Sequence, residues 1–446
     1  MSALAQYQVM SGGRASGSDR AFDRGERPAG RAQLERLGIA IHPQDGSGVA
    51  GDCAALVIST AVEAQVPDVA AARARGIPVV HRSELLSWFV ARQRTVAVAG
   101  TSGKSTVVAM IFEILGAAER SPSVITGGDL VMLQREGLWG NAWFGGSELL
   151  VIEADESDGS LIHYRPALGV VLNLQRDHKE MDEVARMFAT LRAQTREAFV
   201  VGEDENLSAL ADGATIFGFG PSSAVRGEAV ELLPDGSGFE VGGVRFDLPV
   251  PGRHNVQNAL AAIAVCLRLD VPLTEMVGPL SRFQGVGRRF QSIGVARGVE
   301  VVDDFAHNPA KIAAALATAQ TRATGRVLAV YQPHGYGPTR FLRDDFIRTF
   351  TDSLRADDRL WLLEIFYAGG TAVRDFSAAE IAAEIATRGR RAEFAPSREW
   401  LVARIAAEVR SGDLVLVMGA RDPSLTDLAR SVFAAIAALP GDLAAR

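Results

Sequence analysis

Short apolar runs rich in valine, isoleucine and leucine recur along the chain. They alternate with stretches whose apolar positions repeat every three or four residues. The first kind reads as buried strands and the second as amphipathic helices. Near the N-terminus the pattern predicts strands at Ala54–Ser59 and Gly76–Val80 and a helix at Ser83–Ala91. Residues 11–31, rich in Gly, Arg, Ser and Asp, read as loop. A second block opens with the strand Thr95–Ala99. The helix Lys104–Leu115 follows, apolar at Val107, Val108, Met110, Ile111, Ile114 and Leu115. Further strands are predicted at Leu149–Ile152 and Leu168–Leu174. Short β segments around Pro234-Asp235-Gly236, a turn signal, lead to a helix from about Asn255 to Leu269. A third block places strands at Val299–Asp303, Val327–Tyr331, Leu360–Ile365 and Leu414–Met418. Its helices are Ala310–Ala319, Ala378–Thr387 and Arg398–Val409. Strands alternating with helices predict doubly wound α/β domains with parallel sheets. Three successive units follow, at 1–93, 94–284 and 285–446. Neighbouring units share no repeat of 20–50 residues.

Composition narrows the classes. The 446 residues suffice for about three domains. A hydrophobic fraction of 48% with 22% charged residues excludes a disordered or collagen-like chain. The net charge of −7 argues against a nucleic-acid binder, which needs a basic footprint. Cys53 and Cys266 have no metal-ligand spacing and read as small buried thiols of a reducing compartment. No apolar run reaches the roughly 18 residues that span a bilayer, and no signal-peptide pattern opens the chain. The expectation is a cytoplasmic protein with small-molecule partners, no nucleic acid and no membrane, as a monomer or weak homo-oligomer.

The strongest chemical signal is Gly100-Thr101-Ser102-Gly103-Lys104-Ser105-Thr106, set between a strand and a helix. Glycines let backbone N–H groups close on phosphate, and the helix start adds partial positive charge. Lys104 suits β/γ-phosphates, and a Ser105 or Thr106 hydroxyl suits Mg²⁺. The spacing is shorter than the usual P-loop, and the plain alternative is a glycine-rich turn. Glu153, first of Glu153–Asp158 at a strand end, is the preferred metal ligand, against a merely solvated acidic loop. His178, in Asp177-His178 beyond the next strand, is either a second ligand or a structural histidine. Asn255 meets a purine edge or caps a helix. Arg288 and Arg289 follow a glycine hinge and suit phosphate. Asp303 or Asp304 suits ribose hydroxyls. Asn308 and Pro309 read as a helix start, a role that coexists with the first.

In order and spacing, GTSGKST, EADESD, a DH after the next strand, GRHN, GxGRRF and DD…HNP resemble the Mur ligase family over nearly the whole chain. Ser16–Asp19, Gly285–Gln291 and Tyr331-Gln332-Pro333-His334 look closest to its branch that adds L-alanine to UDP-N-acetylmuramate. The resemblance implies a Rossmann-like N-terminal domain, a central P-loop ATPase-like domain and a C-terminal Rossmann-like domain. It implies ATP bound by Gly100–Thr106, Asn255, Arg289, Asp303 and Asp304, and Mg²⁺ held by Ser105, Glu153 and His178. Lys104, Glu153, His178 and Arg289 would be catalytic. Ser18, Asp19, His307, His334 and Arg340 would meet substrate. The implied reaction is an amide ligation through an acyl phosphate in peptidoglycan precursor synthesis. A site that closes and excludes water protects that intermediate.

Three departures shape the expectations. The family's opening strand and glycine loop are not in the sequence, and Met1–Ala5 reads as the helix that follows them, so an upstream segment is expected. In His334-Gly335-Tyr336-Gly337-Pro338-Thr339-Arg340, glycine and proline stand where the alanine-adding branch carries arginines. His307-Asn308-Pro309 looks more like ligases of later steps, yet the stretch between Glu183 and Val200 has no lysine of the kind they modify. The alternatives are a recycling-type ligase for a ready-made peptide, a ligase for a non-peptidoglycan acid, or a nucleotide-binding homologue without catalysis. A phosphotransferase would leave the third unit unexplained.

Overall fold

The computed structural model describes all residues except 26, 61, 158, 176–179, 368–372, 423 and 441–446. It divides into two compact units, one of residues 1–231 and 237–286, the other of residues 232–236 and 287–446.

The first unit opens with α1 (Ser2–Met10), β1 (Ser16–Ser18), α2 (Arg20–Asp23), α3 (Pro28–Arg36) and β2 (Ala40–His42). After them come β3 (Leu56–Ile58), α4 (Pro67–Ala74), β4 (Val79–His81) and α5 (Arg82–Arg92). The stretch expected as loop, 11–31, thus holds a strand, a short helix and the start of α3. Ser16-Gly17-Ser18 carries no apolar residue, so nothing in its pattern marked a strand. The pairing is parallel, as expected. It comes as two separate pairs, β1 with β2 and β3 with β4, each three residues long. Ala3, Leu4 and Tyr7 of α1 are buried in one apolar cluster with Ile125, Ala142 and Ile152.

The elements that carry the chemistry follow: β5 (Arg94–Ala99), α6 (Lys104–Ala117), β6 (Ser123–Ile125), α7 (Val131–Arg135), β7 (Ala142–Trp143), β8 (Leu149–Glu153), β9 (Leu168–Val171), α8 (Met181–Gln194), β10 (Ala198–Gly202), β11 (Thr215–Gly218) and β12 (Val225–Arg226). They form an eight-stranded sheet in the order β12-β11-β10-β9-β5-β8-β6-β7. Apart from antiparallel β7 the pairings are parallel. β5 sits between β8 and β9, with the chain running to one side first and to the other later. That is a topological switch point, where α/β sheets open a ligand crevice at the strands' carboxyl ends. Strands β13 (Glu228–Leu233), β14 (Gly236–Val241) and β15 (Val244–Leu248) make a small sheet, followed by α9 (Arg253–Arg268) and α10 (Leu273–Ser281). The ten residues Thr106–Leu115 of α6 are buried except Glu113, which is half-buried. They pack with Val256–Cys266 of α9 in one core. Cys266 lies in that core, whereas Cys53 is half-buried.

The second unit contains β16 (Gln291–Ala296), β17 (Val299–Asp304), α11 (Pro309–Arg322), β18 (Val327–Tyr331), α12 (Tyr336–Phe341), α13 (Arg343–Ser353), β19 (Arg359–Leu362), α14 (Ala378–Thr387), β20 (Arg391–Phe394), α15 (Arg398–Glu408), β21 (Leu414–Met418) and α16 (Leu425–Ala437). Its sheet order is β16-β17-β21-β18-β19-β20, parallel except for β16. The tips of β17, β18 and β21 adjoin and carry Asp303-Asp304, Tyr331-Gln332 and Met418-Gly419. Among the described residues, no helix is long and apolar enough to cross a membrane.

Candidate active site

The switch point in the first unit carries the glycine loop. Gly103 is the N-cap of α6 with φ 85°, and Gly100 has φ 141°, both in the region that favours glycine. A Cβ on Gly103 would lie 2.3 Å from Asn258 Oδ1. Gly103→Ala therefore carries a strained backbone and a polar clash. The expected cost is about 1–2 kcal/mol of stability for the backbone alone, with nucleotide affinity falling on the order of tenfold or more. Thermal melts and equilibrium nucleotide binding check both.

Lys104 begins α6 and points back over the loop. Its Nζ donates to the Gly100 carbonyl at 2.9 Å and to Glu156 Oε2 at 2.5 Å, with Asp155 Oδ1 at 3.4 Å. Burial alone would lower the ammonium's pKa, but Glu156, Asp155 and Glu153 outweigh it and hold it well above its ordinary value. Burial likewise opposes ionisation of Asp155, yet Lys104 and Ser157 bring its carboxyl down to about 2. Burial pushes Glu156 upward, and Lys104 offsets this without reversing it.

Ser105 and Glu153 meet next to this cluster. Glu153 Oε2 accepts from Ser105 Oγ at 2.8 Å, from Thr126 Oγ1 at 2.9 Å and from the Gly127 N–H at 3.0 Å. A hydroxyl and a carboxylate converging in this way form an oxygen donor set suited to Mg²⁺, which keeps its remaining positions for water and phosphate. Gly128 belongs to the same wall, since a Cβ there would lie 2.8 Å from Ser105 Cβ. Among the described residues, no group of three or more His, Cys, Asp or Glu side chains gathers as a metal cage. His178 lies outside the described residues.

Two parts of this site escaped the sequence reading. Asn173, just past β9, accepts at Oδ1 from Thr101 Oγ1 and from the Ser102 N–H, both at 2.9 Å. Its Nδ2 donates to the Ser102 carbonyl at 3.1 Å. The predicted strand Leu168–Leu174 ends at Val171 as a regular element, and the chain beyond it runs on beside the loop, with the Thr101 N–H donating to the Asn173 carbonyl at 3.3 Å. The other part is Thr126-Gly127-Gly128, for which two adjacent glycines after a strand were the available signal. Asn255 is not a helix cap, because that position is Gly252, with φ 99°. Its Nδ2 donates to the Pro251 carbonyl at 2.8 Å, and its Oδ1 accepts from Asn258 Nδ2 at 3.3 Å.

Elsewhere in this unit, Ser18 donates its hydroxyl to Asp68, and Asp19 caps α2 by accepting from the Ala21 N–H at 2.8 Å. A cavity of about 560 Å³ is lined by His81, Ser83, Glu84, Ser87, Gly159, Ser160 and His163. Its last three residues follow closely on Glu153–Ser157, so the cavity and the acidic loop share one chain segment.

In the second unit the sequence could not choose between the two aspartates. Asp303 is fully buried, with Arg288 Nε 3.3 Å from Oδ2 and Thr426 Oγ1 donating to Oδ2 at 2.6 Å. Asp304 is half-buried and accepts the Phe290 N–H at 2.6 Å and the Ala306 N–H at 2.7 Å. Burial pushes its carboxyl up to about 6, against the pull of Arg289 and those N–H groups. Arg288 is spent on Asp303 and the carbonyls of Gly419 and Ala420, at 2.7 and 3.1 Å. Arg289 lies over Phe305, 4.8 Å from the ring centroid. His307 and His334 meet edge to face at 5.4 Å. Asn308 caps α11 through the Lys311 N–H, with Pro309 in the first turn, as the sequence suggested. Arg340 pairs with Asp375 and lies over Phe376. Arg374 stacks 3.6 Å over Tyr367, whose ring contacts Tyr336.

A glycine loop at a switch point, with a lysine, a hydroxyl and a strand-end carboxylate at its mouth, defines an α/β enzyme of the nucleotide-dependent class. Residues 1–94 match the family described as Mur ligase family, catalytic domain; residues 98–266 match the Mur ligase middle domain; and residues 288–421 match the Mur ligase, glutamate ligase domain. UDP-N-acetylmuramate–L-alanine ligase of Pelotomaculum thermopropionicum is 33% identical over 440 residues, covering 95% of this chain and 92% of that one. The protein of that name from Phenylobacterium zucineum is 34% identical, covering 100% of this chain and 93% of that one. The crystal structure of UDP-N-acetylmuramate-alanine ligase from Thermotoga maritima superposes with a TM-score of 0.81 at 26% identity, over 97% of this chain and 96% of that one. A murein peptide ligase from Psychrobacter arcticus shares the fold, with a TM-score of 0.70 at 20% identity over 99% of this chain and 97% of that one. The chain belongs to the Mur ligase family. It is an ATP-dependent ligase that forms an amide bond in peptidoglycan precursor synthesis.

Proposed function

We propose that the enzyme joins the carboxylate of UDP-N-acetylmuramate to the amine of an amino acid or peptide, with magnesium-bound ATP. The observation that carries this is the meeting of Lys104, Ser105 and Glu153 at the mouth of the glycine loop. Ser105 and Glu153 hold Mg²⁺, together with His178 by family resemblance. A Mg²⁺ ion held there would offset charge building on phosphate oxygens. Lys104 reaches the β/γ-phosphates, and Gly100–Thr106 cradle them. Asn255 meets adenine, Arg289 meets phosphate, and Asp304 rather than Asp303 meets ribose, because Asp303 is fully buried on Arg288 and Thr426 whereas Asp304 keeps partial exposure. The polar cavity at His81 and Ser160 is the assigned seat of the acid. Ser18 and Asp19 are assigned to its nucleotide portion, and His307, His334 and Arg340 to the amine. The acid's carboxylate attacks the γ-phosphate, releasing ADP. The amine then attacks the acyl phosphate carbon, and phosphate leaves from a tetrahedral intermediate whose oxyanion needs nearby positive charge.

A second reading concerns the acceptor. Gly335 and Pro338 replace the expected arginines, and Arg340 is engaged by Asp375. A lost charge-assisted bond to a substrate carboxylate costs about 1.5–3 kcal/mol. The expected result is weak activity with L-alanine and better activity with a larger amino acid, a peptide or another amine. Arg374, stacked on Tyr367, is the cation that offers a replacement. A substrate panel at fixed ATP and UDP-N-acetylmuramate checks this. If L-alanine has the highest kcat/KM by tenfold or more, the plain alanine-ligase assignment stands.

A further inference from the structure

Lys104 has three N–H donors and three partners: the Gly100 carbonyl, Glu156 and Asp155. The lysine and Glu156 side chains retain 11% and 6% of their exposure, so their 2.5 Å ion pair is largely shielded from water. Glu153 completes the group, within electrostatic reach of the ammonium. Among the described residues, one ammonium stands among three carboxylates, so this group is net negative although it must admit a polyphosphate. A shielded pair of this kind is costly to break by removing one partner's counter-ion.

We propose that Glu156 is a positioning residue that aims Lys104 across the glycine loop and, by its charge, makes the site admit magnesium-bound ATP while rejecting metal-free ATP. This rests on the nucleotide assignment above. Three donors let Lys104 keep Glu156 as one partner and exchange Asp155 or the Gly100 carbonyl for a phosphate oxygen. Metal-free ATP brings four negative charges toward the carboxylates with nothing to offset them. The magnesium complex brings its own countercharge to Ser105 and Glu153. Neither Glu156 nor Asp155 needs to touch the nucleotide for this to work.

The test is equilibrium binding of ATP to the full-length wild type and to Glu156→Gln, with EDTA and with excess Mg²⁺, each checked by thermal melting. The wild type is expected to bind the magnesium complex at least tenfold more tightly than metal-free ATP, and Glu156→Gln to bind metal-free ATP on the order of tenfold more tightly than the wild type does. Affinity for the magnesium complex should stay within about threefold, while kcat falls because Lys104 is no longer aimed. Asp155→Asn should shift metal-free affinity in the same direction by less, since its contact is longer, and it decides the matter if Glu156→Gln does not fold. Unchanged metal-free affinity in the folded variants overturns the proposal while leaving the nucleotide site intact. A wild type that binds neither form overturns the nucleotide assignment itself.

Discussion

Lys104→Ala is expected to abolish ATP turnover while the protein stays folded. On the proposed assignment Lys104 is the cation that the glycine loop presents to the β/γ-phosphates, and it begins a helix whose residues Val107–Phe112, Ile114 and Leu115 are packed core. Phosphoryl transfer leaves the protein little covalent chemistry, so positioning and charge stabilisation carry most of the acceleration. Removing a phosphate clamp of this kind costs on the order of 10³-fold in rate or more. The fold survives because α6 is held by its buried apolar residues, while loss of the counter-ion to Glu156 lowers the melting temperature. Phosphate release measured beside a thermal melt decides it. A folded variant that still releases phosphate at the wild-type rate would mean that Lys104 is not the clamp.

The second large effect is at Glu153. Its Oε2 collects Ser105, Thr126 and the Gly127 N–H, so it ties the loop 126–128 to α6 and, on the proposed assignment, offers charge to a metal. Glu153→Gln keeps the shape but loses the charge, whereas Glu153→Ala also orphans three donors. In both, the Mg²⁺ concentration for half-maximal activity should rise by about 10²-fold or more, beyond the 10–100-fold typical of residues that only support a ligand. The alanine variant should also melt earlier, because the buried Ser105 and Thr126 hydroxyls left without their acceptor cost about 1–3 kcal/mol each. Titration of activity with Mg²⁺ is the measurement, and an unchanged midpoint in the glutamine variant removes Glu153 from the metal site.

Where local pattern marks a place in the fold, the sequence was enough. Gly100–Thr106 announced its loop because glycine, lysine and serine fell between a buried strand and a helical repeat. Glu153 announced itself by ending an apolar strand with a carboxylate. What escaped were contacts between segments distant in sequence. Asn173 sat at the end of an apolar run and looked like part of a strand until its amide met Thr101 and Ser102, some 70 residues earlier. Asp303 and Asp304 were equivalent as letters, and what separates them is Thr426, 123 residues away. β1 went unseen because Ser16-Gly17-Ser18 gains its strand form from pairing with β2, not from side-chain alternation. The Lys104–Glu156 pair was hidden for the same reason, since a run of acids does not say which of them turns inward.

The central claim is that ATP activates a carboxylate as an acyl phosphate. It is tested most directly by supplying UDP-N-acetylmuramate labelled with ¹⁸O in its carboxylate, together with magnesium, ATP and an accepted amine. Attack by that carboxylate on the γ-phosphate, followed by displacement by the amine, carries one labelled oxygen into each phosphate released with ADP. Mass spectrometry of the phosphate should therefore find one ¹⁸O per turnover. Phosphate released without label, in step with ADP, would contradict acyl phosphate formation and the ligase mechanism built on it.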